Sequence, residues 1–169
     1  MNIVLIGYRG SGKTSVGRLL AARLGMSFID TDDLIVAKSG KTIRKIFEAG
    51  GEQAFRDLET AVVAEVAARD HTVIAAGGGV VLRSQNVEHL RRTGRIVWLT
   101  APPEVLFKRI QGDQQTTATR PNLTSAGGLE EIRKLLEIRR PFYQAAAHIT
   151  VDVSLDDVER IAHFLSAMV

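Results

Sequence analysis

Short apolar runs alternate with longer amphipathic stretches along the chain. The runs are "NIVLIG" (2–7), "SFI" (27–29), "TVIAA" (72–76), "RIVWLT" (95–100) and "HITVD" (148–152). Strands that are apolar on both faces suit a parallel sheet covered by helices. Between them, apolar residues recur at helical spacing. Val16, Leu19, Leu20 and Leu24 share one face of a helix that stops at Gly25. Phe55, Leu58, Val62 and Val66 mark a second helix, and Leu129, Ile132, Leu136 and Phe142 a third. Leu155, Val158, Ala162 and Leu165 mark the last, opened by Ser154 and Asp157 at the spacing of a capping box. This alternation predicts βαβ units with right-handed crossovers, hence an α/β fold.

Two segments break the pattern. Residues 32–66 are too long for one crossover helix and predict a helical insertion. Residues 111–128, "QGDQQTTATRPNLTSAGG", are polar and rich in Gly and Thr. A loop of that length in a compact domain is usually a lid or a disordered segment. There is no internal repeat and no interdomain linker, so the 169 residues fit one domain.

Composition narrows the classes. With no cysteine, disulfides and thiolate metal sites are excluded, which suits a reducing compartment. The formal net charge of +3 suits an anionic small ligand. Aromatic residues make up only 5% and no dense Lys/Arg run occurs, so nucleic-acid binding is not indicated. The opening "MNIVLIG" has no basic region before its apolar run, unlike a signal peptide. No run approaches the ~18 apolar residues of a membrane span. The expectation is a soluble, cytoplasmic protein.

The chemistry begins where the first strand ends. "GYRGSGKT" (7–14) matches G-x-x-x-x-G-K-[ST] through Gly7, Gly12, Lys13 and Thr14. Glycines let successive N–H groups turn toward an anion, and the following helix adds its positive end. Lys13 would reach the outer phosphates and Thr14 would offer its hydroxyl to Mg²⁺. This assigns Gly10, Ser11, Gly12, Lys13, Thr14 and Ser15 to an ATP phosphate cradle.

"FIDTDD" (28–33) places Asp30, Asp32 and Asp33 within four positions. The second strand is expected beside the first, with its C-terminal end facing the phosphate loop, where open α/β sheets bind ligands. One Asp can serve Mg²⁺ with the phosphates, and another can hold an acceptor hydroxyl and take its proton. Asp33 reads as a helix-start residue, since acids are favoured in a first turn.

Further candidates follow. "GGGVV" (77–81) allows close backbone approach after the third strand. Arg56 has Glu59 one turn later, which also fits a surface pair. Arg139 and Arg140 precede Pro141 near an expected helix end. Arg120, in the lid-like loop, could clamp charge on a transferred phosphoryl group. Arg109 is either a nucleotide contact or a helix surface charge. His71, His89, His148 and His163 lack metal-ligand spacing and read as structural or surface residues.

Six stretches in order carry a resemblance: "GYRGSGKTSVGRLLA", "FIDTDDLI", "IFEAGGEQAFRDLE", "VIAAGGGVVLR", "TRPNL" and "IRRPFY". Together they resemble shikimate kinases over essentially the whole length. The resemblance implies a P-loop, nucleoside-monophosphate-kinase-like fold. That fold has a five-stranded parallel sheet, a shikimate-binding helical insertion at 32–66 and a mobile lid at 111–128. It implies transfer of the ATP γ-phosphate to the 3-hydroxyl of shikimate; a monomer is expected separately, because a single complete core needs no partner. It assigns Lys13 and Thr14 to phosphate and Mg²⁺, Asp30 to the Mg²⁺ site and Asp32 to the acceptor hydroxyl as base. Arg56 and Arg139 would grip the shikimate carboxylate, with Glu59 orienting Arg56. Gly77, Gly78 and Gly79 would line the substrate, Phe47 and Phe55 would wall the pocket, Arg120 would reach over from the lid, and Arg109 would lie against adenine. One departure is the acidic "VDVSLDDVE" (151–159), where the family often carries a basic or Pro-containing stretch. Rival readings are a gluconate kinase, a nucleoside-monophosphate kinase and a non-catalytic nucleotide-binding module.

Overall fold

The computed structural model describes residues 1–113 and 127–169. β1 (Asn2–Ile6) lies at the centre of the sheet with all five residues buried. The other strands are β2 (Ser27–Asp30), β3 (Thr72–Ala75), β4 (Gly94–Thr100) and β5 (Ile149–Asp152). Among the described residues these five strands form one sheet in the order β2-β3-β1-β4-β5, every pairing parallel.

The expected adjacency of β1 and β2 is corrected. β3 lies between them, its Ala75 facing Leu5 on one side and Asp30 on the other. Burial explains the order. β3 is buried at all four positions, whereas β2 has none fully buried and takes an edge. β5, half exposed on alternate residues, takes the other edge. The interior positions go to the runs with two apolar faces.

Seven α-helices cover the sheet among the described residues. α1 (Lys13–Leu24) starts directly from the phosphate loop and buries Val16, Leu20 and Ala21. α2 (Thr31–Ser39) and α3 (Ile43–Ala67) fill the segment read as a helical insertion, and α3 breaks at Gly51 (φ 72°, ψ −172°). Within α3, Phe55, Val62 and Val66 are buried as expected, but Leu58 is exposed and Val63 packs in the core instead. α4 (Ser84–Thr93), α5 (Pro103–Gly112), α6 (Gly128–Ala146) and α7 (Val158–Met168) complete the set. α7 packs on α1, and Arg23 and Glu159 bridge them at 2.7 Å.

Two helix boundaries differ from expectation. α6 runs through Pro141 to Ala146. Pro141 sits on the solvent side, and the next turn is held by burial of Tyr143 and Ala146, while Phe142 is exposed. Tertiary packing outweighs the one lost backbone bond. α7 starts later than the apolar spacing implied. Ser154 turns back, its N–H and hydroxyl both donating to Asp152 Oδ1, and Leu155 is 94% exposed. The cap is Asp157, whose carboxylate accepts from Arg160 N at 2.9 Å. No described helix is long and apolar enough to cross a membrane.

Candidate active site

The C-terminal ends of β1, β2 and β3 converge on two adjoining hollows. The first is a cleft of about 460 Å³ over the phosphate loop. A Cβ at Gly10 (φ 85°) would press into Ile110 and the Leu106 carbonyl of α5, so only glycine lets the loop pass beneath that helix. Ser11 N donates to Tyr8 O, closing the turn, and Gly12 then caps α1. Lys13 Nζ reaches back to the carbonyls of Gly7 and Tyr8 at 2.8 and 3.1 Å, so its ammonium lies over the loop. Gly10, Ser11, Gly12, Lys13, Thr14, Ser15, Asp30, Asp32 and Arg109 all line this cleft, which brings the expected nucleotide residues together.

Thr14 Oγ1 donates to Asp30 Oδ2 at 2.6 Å. The other oxygen of Asp30 caps α2, accepting from Asp32 N at 2.9 Å and Asp33 N at 3.3 Å. One carboxylate thus ties α1 to α2 and fixes a hydroxyl and a carboxylate beside the loop. These oxygen donors next to a phosphate cradle fit a hard divalent cation such as Mg²⁺. Among the described residues no group of three His, Cys, Asp or Glu gathers as an independent metal cluster. Asp33 stands in the first turn of α2, as a helix-start residue should.

The second hollow is smaller, about 70 Å³. Asp32, Phe47, Phe55, Arg56, Glu59, Gly77, Gly78, Gly79 and Arg139 all line it, so every expected acceptor-side residue shares one wall. Arg56 Nη1 donates to the fully buried Glu59 Oε1 at 2.9 Å, and Arg56 Nη2 to Glu52 at 3.3 Å. The Arg56 guanidinium also lies 5.2 Å from the Phe55 ring, itself paired with Phe47 at 5.1 Å. A Cβ at Gly79 would fall inside the Arg56 guanidinium, so the close approach there demands glycine. Gly77 sits against Glu59 and Asp32, and its N–H donates to Thr31 Oγ1 at 3.0 Å.

Electrostatically the hollow is cationic with two embedded acids. Arg9, Arg56 and Arg139 face Asp32 and Glu59 across it. Burial pushes the Glu59 carboxyl above its ordinary range, with Arg56 opposing and Asp32 adding to the rise. Burial also raises the Tyr8 phenol against the pull of Arg139 and Arg9. Asp32 lines both hollows, so it stands between a phosphate cradle and an arginine-lined pocket. That is the position a base needs to take a proton from an acceptor facing a phosphoryl group.

Several contributors escaped the sequence reading. Tyr8 and Arg9 line the acceptor hollow from variable positions inside the glycine motif, and Ile43 joins them from the start of α3. In the cleft, Asp113, Asp156, Asp157 and Val158 form the wall away from the loop. Arg109 anchors that wall by donating Nη2 to Val153 O at 2.7 Å. The acidic 151–159 stretch is therefore part of the cleft, on the side where the resemblance put the family's adenine-side stretch. The histidines lie outside both linings. His148 Nδ1 accepts from Ile96 N at 2.9 Å and is structural. Arg120 and residues 114–126 of the expected lid lie outside the described residues.

Comparison with known proteins points to one family. A profile described as shikimate kinase matches residues 9–169. A shikimate kinase of Symbiobacterium thermophilum is 53% identical over 161 residues, covering 94% of this chain and 91% of its own. The solved structure of a shikimate kinase from Acinetobacter baumannii in complex with shikimate superposes with a TM-score of 0.92. It is 38% identical and covers 99% of this chain and 91% of its own. A gluconokinase from Sinorhizobium meliloti, at 24% identity and a TM-score of 0.65, covers 98% of this chain and 89% of its own; it shares the fold.

Proposed function

This chain belongs to the shikimate kinase family, and on that premise we propose how its two hollows divide the work. It is an ATP-dependent kinase that transfers the γ-phosphate of ATP to the 3-hydroxyl of shikimate. The products are shikimate 3-phosphate and ADP, a step toward chorismate and the aromatic amino acids. The observation that carries the reading is Asp32, shared by the phosphate-loop cleft and by a hollow holding Arg9, Arg56 and Arg139.

In the cleft, the loop N–H groups, the start of α1 and Lys13 hold the ATP phosphates. Thr14 and Asp30 are the residues that would hold Mg²⁺, which would neutralise charge on the phosphate oxygens. Arg109 flanks the base. In the other hollow, Arg56 and Arg139 take the planar carboxylate of shikimate, a task for forked guanidinium donors that a lysine cannot imitate. Glu59 orients Arg56 through Nη1, and Nη2 would exchange its longer contact with Glu52 for the ligand. Phe47 and Phe55 cover the ring's apolar face, and Gly77, Gly78 and Gly79 admit its hydroxyls close to the backbone. Asp32 orients the 3-hydroxyl and accepts its proton as the O–P bond forms. Residues 32–66 are thus the acceptor-binding insertion of a single kinase domain. The same reading takes the enzyme as a cytoplasmic monomer.

The test is ADP release with ATP and Mg²⁺, offering shikimate, quinate, gluconate and AMP separately. Turnover with shikimate is the expected result. Turnover confined to gluconate or AMP would overturn the carboxylate assignment of Arg56 and Arg139. ATP binding without turnover on any acceptor would favour a binding module. Light scattering at micromolar protein checks the monomer.

A further inference from the structure

Tyr143 itself lines neither hollow, yet it is the largest fully buried side chain described. Its hydroxyl donates to Gly78 O at 2.5 Å. Its ring stacks on Trp98 of β4, centroids 5.4 Å apart and planes 21° off parallel. It sits on α6 one turn after Arg139, whose guanidinium lies beside the phenol. Burial holds the phenol neutral, with its pKa pushed up to about 12.

We propose that Tyr143 is a positioning residue for the acceptor: by holding the Gly78 carbonyl toward the interior, it turns the Gly79 N–H into the hollow as a donor to shikimate. The peptide unit is planar and trans, so the Gly78 C=O and the Gly79 N–H point in opposite directions. The carbonyl faces a phenol wholly inside the protein, and Gly78 and Gly79 both line the hollow. Fixing one end of the peptide therefore aims the other. The neighbouring peptides are pinned separately, since Val80 N donates to Gly77 O and Leu82 N to Gly79 O, both at 3.1 Å. Only the middle peptide depends on Tyr143. A buried carbonyl that loses its donor turns to find another, and the Gly79 N–H turns with it.

The role rests on shikimate being the acceptor, and the test separates the two. Wild type and Tyr143→Phe are compared in steady-state kinetics and by titrating the emission of Trp98, the chain's single tryptophan. The expected result is a rise of about ten-fold in shikimate KM and Kd, the scale of one unsatisfied buried group. The ATP KM and kcat stay within about two-fold. Equal loss toward both substrates would mean a merely structural role and overturn the proposal, as would an unchanged shikimate KM. If the Phe variant does not fold, amide exchange on the wild-type protein decides. Shikimate must slow Gly79 exchange about ten-fold or more; unchanged Gly79 exchange overturns the proposal. A wild type that turns over shikimate beside a Phe variant of normal KM sinks only the Tyr143 role. A wild type inert to shikimate sinks the substrate reading and this proposal with it.

Discussion

Asp32 is 7% exposed, held at the first turn of α2 by the cap that Asp30 makes to its N–H. Its place between the two hollows turns a role into a measurement. Asp32→Asn keeps the shape and removes the base, so kcat is expected to fall about 10²-fold or more while ATP binding persists. Normal turnover in that variant would remove Asp32 from proton transfer. Arg139, 4% exposed and 5.6 Å over the Tyr8 ring, makes the complementary case. Arg139→Lys keeps the charge and loses the planar fork, so shikimate KM is expected to rise with ATP KM steady. A rise in ATP KM alone would place Arg139 on the wrong ligand. At this scale the sequence was most informative where chemistry restricts residue type. The glycine-lysine loop, Asp30, Asp32, Arg56 and Arg139 all line the two hollows. Tyr8 and Tyr143 were hidden because an aromatic near a motif has the same pattern whether it fills the core or shapes a site.

Elements were legible where burial is two-sided and ambiguous where it is not. β1, β3 and β4 could be read from their apolar runs because both faces are covered. The start of α7 was misread because Leu155 fits the helical spacing while standing in solvent, and a polar residue at Ser154 mimics a cap. His148 offers a test at this scale, at the junction of α6 and β5. Its Nδ1 accepts the Ile96 amide that begins the buried part of β4. Partial burial, then Arg91 and Arg95, lowers its pKa below the ordinary 6.5. The fold thus favours the neutral ring, and the unfolded chain takes up the proton first as pH falls. The stabilisation is present above about pH 6.5 and is lost as pH drops through that value toward the depressed one. His148→Asn keeps an acceptor and removes the titration. Its urea midpoint is expected to vary less than that of the wild type between about pH 8 and about pH 5. Parallel pH profiles would show that the Ile96 contact does not couple to protonation.

For the whole molecule, the sheet order was the part that local pattern could not supply. Nothing in "SFIDTDD" names its neighbour, and the assumed β1–β2 pairing failed because β3 is the more apolar strand. The contact between the two motifs survived, since Asp30 still reaches Thr14 across the inserted strand. The centre of the sheet carries the stability of the molecule. Leu5 of β1 is fully buried between β3 and β4. Leu5→Ala is expected to cost about 2–5 kcal/mol, the range for a large buried aliphatic residue. In a chain of this size that lowers Tm by roughly 5–15 °C. A calorimetric shift under about 2 °C would mean that the core collapses around the deletion.

Asp30 serves two masters. One oxygen caps a helix on the acceptor side, and the other receives a hydroxyl from the nucleotide side. Each demand alone has several tenable occupants: serine, threonine or asparagine would cap, and glutamate would keep the charge. Together they leave aspartate, short enough to cap and with two oxygens that can accept. Natural drift at this position meets a double veto. An engineer changing the nucleotide side here would also be redesigning the entrance of α2.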